Sequence, residues 1–212
     1  MKQFTILILF ISSSCFAQSK IDDGIYSLSY FIASEEFKKL SETKNDFELI
    51  DSLFLRSVEF FEMNYSDALL AISFATLPFK NMPLKAPVFN FRISIPLPSV
   101  SDSVFHVKVD HLPKNVFYDT PAGAFGDKDK LAHFFGNAFL SYNFNLVDIA
   151  GFAGIFVELF EESFKVAGGM SSRDLTANVL GEVFGNALQN NKSILPSQVL
   201  KLYLLTELKI IR

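Results

Sequence analysis

The sequence predicts a mainly α fold, a helical bundle with a small β-hairpin insertion. Three observations carry that expectation. Apolar residues recur at helical spacing before residue 78 and again after residue 126. Between those stretches, prolines at 83, 87, 96, 98 and 113 exclude long helices, and the apolar period shortens to two. In the second half, three apolar segments each carry a thin polar or glycine stripe, the inverse of an ordinary surface helix.

The elements follow in order. A positive Lys2, an apolar run from Phe4 to Ile11 and the small-x-small Cys15-Phe16-Ala17 predict a signal peptide over residues 1–17. That run is too short to span a bilayer. Cleavage after Ala17 removes the single cysteine, so no disulfide or thiol chemistry is expected of the mature chain. Ser12-Ser13-Ser14-Cys15 keeps a lipid-anchored form open beside soluble export. Both place the protein outside the cytoplasm, in the periplasm, with outer-membrane association as one option.

Residues 18–212 read as a single, mostly helical domain. Its first part, 18–78, is a helical scaffold. Ile25, Leu28, Phe31, Ile32 and Leu40 space a helix through about residue 41. Phe47, Ile50, Leu53, Phe54, Val58 and Phe61 space a second, with Asp46 as its cap. Ser66-Asp67 caps a third, Ala68 to Leu77, which Pro78 stops. In the proline-rich part, 79–125, Phe89, Phe91, Ile93 and Ile95 alternate with polar residues, and so do Phe105, Val107 and Val109. The two runs are expected to pair as a hairpin, with His106 and His111 at its surface. Asp127 or Asp129 is expected to cap the block 126–189, and Ser171 or Ser172 its third helix. In 190–212, Val199, Leu200, Tyr203, Leu204, Leu208 and Ile211 give a last packing helix.

Composition narrows the function classes. A net charge of −4, a pI near 5.4 and the lack of a Lys/Arg cluster argue against nucleic-acid binding. Half the residues are hydrophobic, and the 25 phenylalanines, with no tryptophan, supply ring mass without a hydrogen-bonding handle.

The candidate site lies in the three stripes. Asp129, His133 and Asn137 fall on one line of a helix, with Lys130 and Gly136 beside it. Gly151, Gly154, Glu158, Glu161, Glu162 and Lys165 share a face of the next. Asp174, Asn178, Gly181 and Gly185 line up on the third. A carboxylate among apolar side chains needs a partner to offset its desolvation, so the stripes are expected to converge. The glycines allow close backbone approach between the helices. Such convergence is a polar network holding three helices in register, a ligand site, or an acid/base site of His133 with Asp129, Glu158, Glu162 and Asp174. Glu-x-x-His and His-Glu-x-x-His are both missing, so neither a metal nor another cofactor is expected. No nucleophile motif accompanies Ser141, Ser163, Ser171 or Ser172.

The order Asp129-Lys130-x-x-His133-Phe134, a helix-borne Glu158, then Asp174-x-x-x-Asn178-x-x-Gly181-x-x-x-Gly185 resembles the YfiM-type periplasmic lipoproteins and, more distantly, the VanZ-like envelope proteins. The resemblance covers about residues 126–189. It departs from VanZ-like proteins at Glu161, where they carry Gln, and at Arg173, which directly precedes Asp174. It implies an exported cell-envelope protein and brings no established activity. The leading expectation is a non-enzymatic protein whose polar cluster organises the fold or binds a small polar envelope ligand. One alternative is a hydrolase-like enzyme, metal-assisted or not, acting on a lipid or cell-wall intermediate. The other is an integral membrane VanZ-like protein. An outer-membrane or envelope component is the expected partner, with no nucleic acid.

Overall fold

The computed structural model describes residues 20–85, 92–144 and 171–207. The expected signal peptide, Phe89 and Phe91 of the expected first strand, and the second stripe helix with Glu158 and Glu162 lie outside these residues. Among the described residues the protein is mainly helical, and no helix is long and apolar enough to cross a membrane.

The scaffold holds four helices: α1 over 20–33, α2 at Glu35–Thr43, α3 at Asp46–Phe60 and α4 at Tyr65–Ala75. The single helix expected through residue 41 is broken at Ser34, whose hydroxyl accepts from the Phe37 amide and starts α2. Asn45, not Asp46, caps α3, and Glu48 returns the bond to complete a capping box. Asp46 instead accepts from the Asn115 amide at 2.6 Å, tying the long loop to the scaffold. Asn64 takes the cap expected of Ser66-Asp67. The turn before it forces Glu62 and Met63 to φ of 52° and 68°, a left-handed conformation tolerated over two residues of a tight connection.

The α3 pattern works as read. Ile50, Leu53, Phe54, Val58 and Phe61 are buried, each contributing about 1.5–3 kcal/mol relative to exposure, and Phe47 is half-buried.

The proline-rich part corrects the expected hairpin. Residues 105–109 are not a strand; they belong to helix α5, Asp102–His111. Arg92–Pro96 (β2) pairs antiparallel with Asn81–Lys85 (β1) instead. The apolar alternation misled because Phe105, Lys108 and Leu112 also fit a helix face, and these three are the buried ones. Val107, which a half-buried strand would hide, is 40% exposed.

Helix α6, Lys130–Asn143, and helix α7, Ser172–Asn190, form the tightest pair. They run parallel: Lys130 meets Asp174 at one end, and Gln189 Nε2 donates to the carbonyls of Ser141 and Tyr142 at the other. A Cβ at Gly181 would collide with the Phe134 carbonyl oxygen, and one at Gly185 with that of Ala138. Glycine is therefore required at both points of approach. Phe184 stacks on Phe134 at 5.4 Å and meets Phe54 edge-on at 5.2 Å, joining the pair to the scaffold core. The last segment is two short helices, α8 (Pro196–Leu200) and α9 (Leu202–Glu207), rather than one.

Candidate functional site

Two of the three expected stripes converge at the start of the α6–α7 pair; Glu158 and Glu162 of the second lie outside the described residues. Lys130 is the hub. Its Nζ lies 2.6 Å from Asp129 Oδ2 and 2.6 Å from Asp174 Oδ1, with the Lys130 and Asp174 side chains only 7% and 6% exposed. Asp174 has a second anchor, accepting from the Ser171 amide at 2.6 Å while Ser171 Oγ accepts from the Asp174 amide. The same carboxylate thus completes the capping box of α7 and grips α6. Of the two caps expected from the sequence, Ser171 takes the role and Ser172 is the first residue of the helix. Asp129 makes no side-chain cap bond to α6, and its carboxylate is spent on Lys130.

One turn on, His133 Nδ1 lies 3.0 Å from Asn178 Oδ1, which also accepts from Asn137 Nδ2 at 2.8 Å. Since Oδ1 only accepts, Nδ1 carries the hydrogen, and Nε2 faces Asp174 Oδ1 at 3.4 Å. Asn137 also donates to the His133 carbonyl at 3.0 Å. Asp129, Lys130, His133, Asn137, Asp174 and Asn178 therefore form one network, while Gly181 and Gly185 take no part in it and let the helices close.

The protonation states follow from burial set against these partners. Burial pushes the Lys130 amine down, but its bonds to Asp129 and Asp174 outweigh that and hold it above its ordinary value. Burial pushes Asp174 up, and Lys130 and the Ser171 amide bring it below the usual carboxylate range. For His133 burial wins: it lowers the imidazole's proton affinity more than Asp174 raises it. The network is an ionised Lys–Asp pair beside a histidine biased to neutral.

Sequence reasoning missed an adjoining lock. Asp127 is fully buried; its Oδ2 accepts from the Thr120 hydroxyl and the Phe117 amide, and its Oδ1 lies 3.5 Å from Arg173 Nε. Arg173 Nη1 donates to the Asp119 carbonyl at 2.9 Å, so the loop before α6 is pinned to the start of α7. Burial raises the proton affinity of Asp127 despite these donors. The one sequence signal was an Asp two residues before Asp129 in a Gly-Asp-Lys-Asp-Lys run, read there as a cap. His111, expected at the surface, is half-buried and bonds the Ile32 carbonyl at 2.8 Å, while His106 is exposed.

Among the described residues, no group of three or more His, Cys, Asp or Glu is placed to hold a metal. The arrangement can clamp two helices, and it can position a neutral imidazole between a carboxylate and an amide. No family model matches the chain, and neither a curated protein nor a solved structure matches it.

Proposed function

We propose that this is a non-enzymatic, exported cell-envelope protein in which the polar cluster is a structural clamp holding α6 and α7 in parallel register. One observation carries the reading: Lys130 bridges Asp129 and Asp174 at 2.6 Å on either side, tying the start of α6 to the start of α7. A buried ion pair rarely adds net stability, but removing one member strands the other, so such a network fixes register. The export signal read at residues 1–17 and the resemblance of 126–189 to the YfiM-type envelope proteins support the setting.

The test measures stability and function together. In a strain lacking the protein, His133→Ala and Asp174→Ala variants should lose thermal stability and complementation in proportion. A variant as stable as the parent that fails to complement would overturn the clamp reading.

A second reading has one observation in its favour. Asp129 Oδ1 is buried without a hydrogen-bond partner among the described residues, next to a histidine held near neutrality. That pair suits acid/base work on a small polar envelope ligand, a lipid or cell-wall intermediate, with His133 Nε2 as the base and Asn178 orienting the ring through Nδ1–H. Turnover of such a substrate by the parent, abolished in His133→Gln at unchanged stability, would establish it.

A further inference from the structure

Helix α5 is joined to the scaffold by titratable side chains as much as by apolar packing. Of its ten residues, only Phe105 and Lys108 are buried. The Lys108 amine is inserted at the C-terminal end of α4, donating to the Ala75 carbonyl at 3.0 Å and the Leu77 carbonyl at 2.7 Å, with the Phe105 ring at 4.5 Å. One turn further, His111 Nδ1 donates to the Ile32 carbonyl at the end of α1. Lys108 is 3% exposed and, among the described residues, has no carboxylate against it. A charged ammonium buried that way keeps its hydrogen bonds and a favourable helix end but loses hydration without a counter-ion.

The groups around it do not supply one. Lys80, in the loop after α4, adds repulsion and is itself engaged by Asp102 at the start of α5. His106 is exposed beside the Phe105 ring. Helix α2, which packs on α5, keeps Glu35, Glu36, Lys38 and Lys39 exposed. Lys128, at the far end, donates to the Asp110 carbonyl at 3.1 Å.

We propose that α5 is a proton-sensitive latch, held on α1 and α4 by capped carbonyls and gripping harder as the Lys108 amine loses its proton. The sign follows from linkage. Burial, aided by Lys80, brings the docked amine from 10.5 to about 7. Between those values release of α5 takes up a proton, so docking strengthens as pH rises above about 7 and levels off below it, where the amine is charged docked or released. The latch is weakest at neutral and acid pH. It also touches the cluster's supports: Leu77, whose carbonyl Lys108 caps, packs on Ala132 of α6, and Lys128 lies next to Asp129.

Hydrogen exchange of the intact protein between pH 6 and 9 tests the latch. Protection of the 102–112 amides, corrected for intrinsic rates, should rise roughly a hundredfold, at about tenfold per pH unit above neutrality, and α3 or α7 amides should share that rise only where the opening that exposes them also frees α5. Lys108→Met, which loses the caps on the Ala75 and Leu77 carbonyls along with the charge, should give a flat profile. A flat profile in the parent, or a rise that persists in Lys108→Met, overturns the proposal. If that variant does not fold, the parent's own lysine resonances decide: a Lys108 amine titrating near 10.5 overturns it, and one titrating near 7 upholds it.

Discussion

Two buried lysines, some twenty residues apart in sequence, show opposite ways of hiding a charge. Lys130 sits between two carboxylates and stays charged; Lys108 sits among carbonyls and a ring and is driven toward neutrality. Burial acts on both in the same direction, and the partner alone decides the outcome. The consequence is mechanical. The α6–α7 pair is clamped by charges that cannot leave without stranding one another, whereas α5 is held by a group that can shed its charge and stay.

The largest effect should come from breaking the clamp at its hub. Lys130→Met leaves Asp129 and Asp174 facing each other without a cation and should cost about 3–5 kcal/mol in urea unfolding. Lys108→Met strands no counter-ion, only the Ala75 and Leu77 carbonyls it caps, and should cost less, about 1–3 kcal/mol at pH 7. Equal losses in the two variants would erase the contrast.

Next come the glycines. Gly185→Ala places a methyl against the Ala138 carbonyl and the Ser141 hydroxyl and should lower stability by about 1–3 kcal/mol, read as a drop in Tm. Gly123→Ala meets nothing within 4 Å and serves as the control.

Asn178→Ala removes the acceptor shared by the buried His133 and the half-buried Asn137, depriving both donors of that bond, and should cost about 1–2 kcal/mol. A loss confined to His133, with Asn137→Ala fully additive to Asn178→Ala, would show that the amide link is not part of one network.

The smallest effect is pH dependence. The folded His133 binds its proton below the ordinary 6.5, so the unfolded chain takes up more protons just under that pH and stability falls as pH drops through the window. Asp174, held below the ordinary 3.8, keeps its contribution until stronger acid. Unfolding free energy measured from pH 7 to 5 should therefore slope downward in the parent and flatten in His133→Gln.

Much of the clamp was legible in the sequence, because a helix repeats every 3.6 residues and places 129, 133 and 137, or 174, 178, 181 and 185, on single lines. Their inverted proportions announced a buried meeting point. The parallel run of α6 and α7 was not legible, since it depends on how the chain returns between them. Caps were displaced by a residue or two where neighbours such as Asn45 and Asp46 are equally good acceptors. The misread strand at 105–109 has a sharper cause. Its buried face includes a lysine, and a pattern that counts charge as exposed cannot find Lys108 inside. The Asp127–Thr120–Arg173 lock joins a loop to a distant helix start and leaves no periodic trace.

The contrast between the two lysines is open to one direct measurement, the titration of their side-chain amines by heteronuclear NMR in the intact protein. The account predicts that Lys108 titrates near 7 while Lys130 remains charged past 10.5. Two amines titrating together near 10.5 would contradict it.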